Sequence, residues 1–252
     1  MQTIAIANQK GGVGKTAIAC HLAFHYRDEG KKVLFVDLDP QGNGSSTIGK
    51  AVEAATTATQ LFLEKEEIIK VAENNITLIA ADSKLTNLER ANPEVIQNFV
   101  ANLGRVKDEF DYCIIDTAPT LGLRMTAALI AAEYVLSPVE MEGYSIQGIT
   151  KMLQTIYGVK KKFNPNLEFI GMLANRFNVR SSEQKANLTE LFNEYGHLMV
   201  EAKIGIRSSI AEALSQGVPV WDIKKTAAKA AAQEMTSAFD AIGKKMEVKN
   251  DQ

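Results

Sequence analysis

The chain of 252 residues contains only two cysteines, Cys20 and Cys113, and they lie far apart. Two distant thiols form neither a disulfide framework nor a CxxC metal site, so we expect a reducing cytosol. The chain also lacks an apolar stretch near the roughly 18 residues that a membrane span needs. Its start, residues 1–7, lacks a basic leader region. We therefore expect a protein that is neither exported nor embedded in a membrane.

The sequence has little surplus of either charge sign, since 28 Lys and Arg residues stand against 30 Asp and Glu residues. This near-neutrality excludes a protein whose whole surface binds nucleic acid, although one face can still be basic. With 46% hydrophobic residues, the chain has enough apolar surface for a sizeable core, which excludes disorder for the bulk. No linker, repeat or long charge run divides it. We expect one domain over residues 1–252, with a polar tail at 244–252 that frays.

Apolar runs and helical patterns alternate along the chain. The runs predict strands, and the strand segments are 4–7, 33–36, 76–80, 112–115, 134–139 and 167–173. Helices are predicted at 17–26, 208–216 and 226–243, and from about 93, 121, 145 and 182. Strands separated by helices form right-handed βαβ units with parallel strands. The predicted fold class is α/β: a mostly parallel twisted sheet with helices on both faces.

A glycine-rich segment, KGGVGKT at residues 10–16, lies between the first strand and the first helix. A phosphate loop has this position, because there the backbone N–H groups and the positive end of the helix dipole face an anion. Lys15 would supply a cation to the β and γ phosphates of ATP, and Thr16 a hydroxyl to Mg²⁺. The predicted nucleotide-binding residues here are Gly11, Gly12, Val13, Gly14, Lys15, Thr16 and Ala17.

Carboxylates follow two of the predicted strands. Asp116 ends an apolar strand, which places it at the carboxyl edge of the sheet beside the loop. Asp37 and Asp39 follow the second strand, and either can face the γ-phosphate. We expect Thr16 and Asp116 at the metal. A helix-capping role remains the alternative for Asp116, and equally for Asp37.

The loop departs from the ordinary pattern GxxxxGK[ST], because Gln9 replaces a glycine and Lys10 adds a second lysine. This departure resembles the deviant Walker A loop of the ParA/MinD superfamily of P-loop NTPases. Further segments similar to family landmarks are 8–9, 37–43, 116–122, 139–140 and 217–220. The resemblance covers nearly the whole chain and is closest to ParA-type DNA-partition ATPases of the short form. Since the first strand's apolar run already begins within residues 1–4, we expect no N-terminal helix-turn-helix.

The resemblance implies an ATPase with Lys10, Lys15 and Asp39 as its catalytic residues. Asp39 would orient and polarise the attacking water, and Asp37 would be held near the metal or the loop. Lys10 would reach across a dimer interface to the partner's nucleotide. Phosphoryl transfer needs mainly positioning and charge neutralisation, which this set can supply. Asn175 resembles the residue that contacts adenine, with Pro219 near the other wall; a turn-capping role is the alternative for Asn175.

The resemblance also implies DNA binding by basic residues in the last third of the chain. Arg207 precedes a helix in a segment similar to one whose arginine binds the DNA backbone, although the proline and asparagine that many relatives have nearby are missing. Lys203, Lys224 and Lys225 would extend this patch, and the run 160–162 is the next candidate. The implied partners are non-specific DNA, a ParB-type centromere-binding protein and a second copy in the ATP state. We expect a cytoplasmic, nucleoid-associated protein with no membrane partner.

Other members of the superfamily share the loop. A MinD-like membrane ATPase needs a C-terminal amphipathic helix, and residues 242–249 are poorly apolar. A nitrogenase-type relative needs cluster cysteines, a kinase needs a tyrosine-rich tail, and a synthetase needs a second acidic pocket; the sequence identifies none of these. His21 and His25 lack the glutamate of an HExxH metal site. An ATPase that positions a different cargo is the main alternative, because it would use the same switch.

Overall fold

The computed structural model describes residues 1–64, 69, 71–141 and 146–250. Its centre is an eight-stranded, all-parallel sheet in the order β3-β4-β2-β5-β1-β6-β7-β8, which confirms the predicted parallel α/β fold. The strands are β1 (Gln2–Ile6), β2 (Val33–Asp37), β3 (Ala54–Thr57), β4 (Ile76–Ala80), β5 (Tyr112–Asp116), β6 (Tyr134–Glu140), β7 (Glu168–Phe177) and β8 (Met199–Gly205).

Helices cover both faces of the sheet. They are α1 (Lys15–Asp28), α2 (Asn43–Ile48), α3 (Val95–Arg105), α4 (Leu123–Ala131), α5 (Ile146–Lys162), α6 (Ser182–Tyr195), α7 (Ser208–Gln216) and α8 (Thr226–Asn250). Short 3₁₀ segments lie at Ala58–Phe62, Ser83–Arg90, Gly196–Leu198 and Val220–Asp222. Among the described residues, no helix combines the length and the hydropathy needed to span a bilayer.

Two apolar cores lie on opposite faces of the sheet, because successive strand side chains point to opposite sides. Ile4 and Ile6 of β1 belong to the core that includes residues of α1, α7 and α8, whereas Ala5 belongs to the core formed with α3, α4, α5 and α6. Central strands are therefore buried on both faces and consist of near-continuous apolar runs. This burial is why the sequence pattern predicted them.

The fold places the glycine-rich loop at the middle of the sheet's carboxyl edge. β1 lies between β5 and β6; from it α1 leads to β2 on one side, while α5 leads from β6 to β7 on the other. Connections that leave in opposite directions open a crevice at the carboxyl ends of the strands, where α/β proteins bind ligands.

Several predicted boundaries differ from the structure. The edge strands β3 and β8 were not predicted, since β3 is short and the middle of β8 is exposed or half-buried. β7 continues to Phe177. α8 continues to Asn250 and buries Met246, so the predicted fraying does not begin at residue 244; residues 251–252 lie outside the described part. The predicted start of a helix near Ser145 also lies outside it, and α5 is described from Ile146.

Candidate nucleotide site and basic patch

Polar side chains from both neighbouring strands hold the stem of the loop. The Thr117 hydroxyl donates to the carbonyl of Ile6 (2.8 Å), and the Ser137 hydroxyl donates to that of Ala7 (2.6 Å). Asn8 is buried; its amide donates to Pro138 O at 2.8 Å, and its Oδ1 accepts the N–H of residue 10 at 2.9 Å. The loop therefore leaves the sheet in one fixed direction.

Within the loop, glycines adopt a conformation that other residues rarely reach. Gly12 and Gly14 have φ values of 79° and 89°, and Gly14 is the N-cap of α1. The Asn175 amide donates to the carbonyl of Val13 at 2.7 Å, and a Cβ at position 14 would collide with that amide. Asn175 lies inside β7 rather than after it, and here it braces the loop. Its contact with adenine stays a prediction.

Lys15 begins α1 and is 6% exposed. Its ammonium donates to the carbonyl of Lys10 at 3.1 Å, which places it inside the curve of the loop. Burial lowers the pKa of Lys15, and the nearby carboxylates of Asp116 and Asp39 oppose that shift. A buried cation that faces two acids across the loop suits a site for phosphate and metal together.

Asp116 ends β5 fully buried, and neither of its carboxylate oxygens has a hydrogen-bond partner among the described residues. Burial raises the pKa of Asp116 well above its usual range, and the Asp37 carboxylate adds to this; the Thr16 hydroxyl and the Lys15 ammonium oppose it. An orphaned buried carboxylate beside a hydroxyl fits a divalent cation, since Mg²⁺ takes one or two carboxylates and keeps oxygen ligands from water and phosphate. The alternative role as a helix cap receives no support from the hydrogen bonds.

Asp37 is also fully buried, but its carboxylate is occupied. It accepts the N–H of Asp39 (3.0 Å) on one oxygen, and the N–H and hydroxyl of Ser45 (both 2.7 Å) on the other. The Ser45 hydroxyl in turn accepts the N–H of Ala81 at 2.8 Å. Burial raises the pKa of Asp37, while the bonds from Ser45 lower it. Asp37 thus holds the loop between β2 and α2, the structural role left open by the sequence, and its place at the metal stays a prediction.

A cavity of about 610 Å³ lies over the loop. Of the predicted site residues, those lining it are Gly11, Gly12, Gly14, Lys15, Thr16, Ala17 and Asp39. The cavity is also lined by residues that were not predicted as site residues: Asn43, Ser46, Thr47 and Lys50 of the α2 region, Pro119, and Leu214 and Ser215 of α7. Val13 is buried, and Pro219 precedes the 3₁₀ turn Val220–Asp222 without lining the cavity. α2 has only six residues, too few for a periodic signal.

The Lys10 side chain points away from this cavity. Its ammonium lies 3.8 Å from Glu140 at the end of β6, and the other oxygen of Glu140 accepts a bond from Arg176 at 3.0 Å. Lys10 is 47% exposed at its side chain, so it remains accessible from outside the subunit. Its predicted reach to a partner's nucleotide is not tested by these contacts.

The predicted DNA residues lie around two acids of α7 and α8. Arg207 pairs with Glu234 in α8, and Lys203 lies close enough to the same carboxylate to lower its pKa. Lys225 pairs with Glu212 of α7 at 2.6 Å. Exposed Lys224 is adjacent, whereas the alternative run 160–162 ends α5, with Lys160 bonded to Glu168. Arg207 and Lys203 therefore share the carboxylate of Glu234 in α8. Lys225 is held to α7, the helix that Arg207 precedes.

Comparisons with known proteins agree with this arrangement. The family profile described as AAA domain matches residues 1–169. Protein IncC of Escherichia coli is 42% identical over 98% of this chain and 70% of its own length. The chromosome-partitioning ATPase Soj of Treponema pallidum is 31% identical over 87% of this chain and 88% of its own.

A solved structure shares the fold and carries ligands. Cobyrinic acid a,c-diamide synthase from Mycobacterium smegmatis, with bound ADP and magnesium, matches with a TM-score of 0.73 and 26% identity over 86% of this chain and 91% of that one. That protein holds both ligand types for which the buried acid, the hydroxyl and the glycine loop described above are suited.

Proposed function

The chain belongs to the ParA/MinD family of partition ATPases, and from this premise we propose that it is an ATP-switched ATPase that binds DNA without sequence preference. In this proposal two ATP-bound copies form a dimer on DNA, and hydrolysis releases them. A ParB-type centromere-binding protein stimulates the hydrolysis. The protein works in the cytoplasm on the nucleoid and segregates a plasmid or a chromosome.

The main support for binding of ATP with Mg²⁺ is the Asp116 carboxylate, which has no hydrogen-bond partner among the described residues. It lies fully buried beneath the loop, with the Thr16 hydroxyl and the Lys15 ammonium near it. Keeping this buried carboxylate ionised costs free energy, which is why its pKa is raised. Mg²⁺ with ATP would offset this cost, with Thr16 and Asp116 holding the metal and Asp37 fixing the loop beside them.

The proposal also assigns roles to the remaining site residues. Mg²⁺ would neutralise charge on the β and γ phosphates. The loop N–H groups and Lys15 bind those phosphates, and Asp39 at the cavity wall accepts a proton from the attacking water or orients it. Lys10, exposed at the loop's outer edge, contacts the partner subunit's nucleotide.

The DNA part of the proposal rests on Arg207 with Lys203, Lys224 and Lys225. The net charge of −2 gives one subunit too few free cations to hold DNA firmly, and a two-fold dimer doubles the patch. Dimerisation by ATP then acts as the DNA switch. The positioning of another cargo is the alternative outcome if ATP-bound dimers form without binding DNA.

Calorimetric titration of ATP, with and without Mg²⁺, tests the nucleotide site. We expect Mg²⁺ to strengthen ATP binding by the wild-type protein and to have little effect on Asp116→Asn. The control is Asp108→Asn, which removes an exposed acid after α3. Wild-type affinity and Mg²⁺ response in Asp116→Asn would show that this carboxylate does not hold the metal.

A further inference from the structure

Two helices meet at the wall of the nucleotide cavity. Lys50, just beyond the end of α2, donates a hydrogen bond from its ammonium to the carbonyl of Ser215 in the last turn of α7. Both residues line the cavity. The link therefore joins the region after β2, which carries Asp39, to a helix that comes more than 150 residues later.

The approach of the two backbones supports this contact independently of the ammonium. Gly217 ends α7 with φ 71°, and a Cβ there would lie 2.6 Å from the Cβ of Lys50 and 2.8 Å from the carbonyl of Thr47. Only glycine permits both this conformation and this proximity. The C-terminal ends of α2 and α7 are thus packed directly against each other.

The electrostatics favour a cation at this position. The N–H groups of Gly217 and Val218 bond to the carbonyls of Leu214 and Ala213, which closes the helix end. The carbonyl of Ser215 is left to the ammonium of Lys50, and a positive charge is favourable at the negative end of the helix dipole. Lys50 is therefore both a cap for α7 and a strap between the two helices.

Each helix leads from this strap to a different functional group. At its start, α2 is tied to the end of β2 through Ser45, which bonds to the buried Asp37. At its start, α7 has Arg207 as the N-cap, and its nine residues span about 13 Å at 1.5 Å per residue. If bound nucleotide displaces the α2 region, the contact between Lys50 and Ser215 passes that displacement to α7 and so to Arg207.

We infer that Lys50 is a positioning residue that couples the nucleotide cavity to the DNA-binding arginine by strapping α2 to α7. The inference rests on the proposed function, because one of its tests measures DNA binding. Lys50 does not touch the reacting atoms; it sets where α7 lies for a given occupancy of the cavity. Removing its ammonium should uncouple Arg207 from ATP.

Trp221 provides a readout that does not require DNA. It is the only tryptophan of the chain and follows α7 within the 3₁₀ turn Val220–Asp222. Its indole N–H donates to Asp28 of α1 at 2.8 Å, so a shift of α7 against α1 changes its surroundings. We expect ATP to change Trp221 fluorescence in the wild-type protein, in Lys50→Arg and in the control Lys31→Met, but not in Lys50→Met. Lys31 is exposed before β2, at the opposite edge of the sheet.

DNA affinity is then measured for the same four proteins with ATP and with ADP. Lys50→Met should lose at least about fivefold in the ATP state, a typical size for coupling between sites, and should be unchanged with ADP. Calorimetry measures the ATP affinity of each variant, so that DNA is titrated at an ATP concentration that saturates it. If ATP leaves wild-type Trp221 fluorescence unchanged, or if Lys50→Met responds like wild type, the inference is wrong. Weaker ATP binding by Lys50→Met would make Lys50 a nucleotide ligand and also overturn it. If no variant binds DNA but the fluorescence pattern holds, the coupling stands and the proposed function fails.

Discussion

The guanidinium of Arg207 and the carboxylate of Glu234 form a two-point ion pair, with Nε 3.2 Å from Oε2 and Nη2 2.5 Å from Oε1. Glu234 also accepts the N–H of Gly205 at 2.9 Å, so its position is fixed by the strand that precedes the arginine. The pair raises the pKa of Arg207 and, against burial, lowers that of Glu234. If Arg207 binds DNA as proposed, a DNA phosphate has to compete with this carboxylate for the arginine.

Neutralising that competitor should strengthen DNA binding. We expect Glu234→Gln to raise affinity for random DNA in the ATP state by about fivefold, the scale of one partly exposed ion pair. Anisotropy of labelled DNA measures this, with Glu183→Gln on the exposed start of α6 as the control. A loss of affinity in Glu234→Gln would mean that the carboxylate positions Arg207 for DNA instead of masking it.

Replacement of Asp39 should separate hydrolysis from assembly. Asp39 lines the cavity, and its Oδ1 accepts the N–H of Gln41 at 3.0 Å. Asp39→Ala should lower turnover by roughly 10²–10⁴-fold while ATP-bound dimers still form, because a general base acts on the transition state more than on the bound substrate. Phosphate release and sedimentation report the two properties. Wild-type turnover in this variant would show that another residue activates the attacking water.

The two lysines of the loop should behave differently. Lys15 is buried inside the loop, so Lys15→Ala should lose ATP binding within one subunit. Lys10 is exposed and faces Glu140, so Lys10→Ala should keep ATP binding and lose nucleotide-dependent dimers. Calorimetry and sedimentation distinguish these results. Equal loss of ATP binding in both variants would remove the distinction.

His21 should make folding stability depend on pH. Burial lowers its pKa from 6.5 to about 4, and its Nε2 has no hydrogen-bond partner within the described part of the chain. Between pH 6.5 and pH 4 the imidazole is protonated in the unfolded chain but neutral in the folded protein. The free energy of unfolding therefore falls as the pH falls, by about 3 kcal/mol in total. His21→Asn keeps a donor for the carbonyl of Ala17 but does not titrate. In urea titrations from pH 7 to pH 4, its stability should fall less than that of wild type; equal slopes would assign the dependence to other groups.

The sequence predicted the features that depend on local pattern. The loop glycines supply the backbone conformations that the turn needs, and Lys15 and Thr16 follow them at the start of the helix. Asp116 ends a strand whose apolar run marks that strand as central. Asp37 and Asp39 were both candidates because they follow a strand, and the family resemblance favoured Asp39 for the water. These residues all lie close in sequence to an element with a clear period, so their approximate positions could be derived without coordinates.

Contacts between distant segments could not be predicted in this way. Glu234 is 27 residues from Arg207, and nothing in the alanine-rich pattern of α8 marks it as the partner. Lys50 reaches Ser215 only because α2 and α7 share one face of the sheet. The middle of the edge strand β8 is exposed or half-buried, so its pattern differs from that of the buried central strands. Asn175 appeared to follow a strand because β7 ends with the charged and exposed Arg176 before Phe177.

The central claim, that ATP turns DNA binding on through Arg207, is tested most directly by titrating labelled random DNA at several salt concentrations with ATP and with ADP. Wild-type protein should bind only with ATP, with affinity that falls steeply as salt rises and varies little between unrelated sequences. Arg207→Glu should abolish binding while sedimentation shows intact ATP-bound dimers. Equal binding with ADP, or undiminished affinity in Arg207→Glu, would contradict the account.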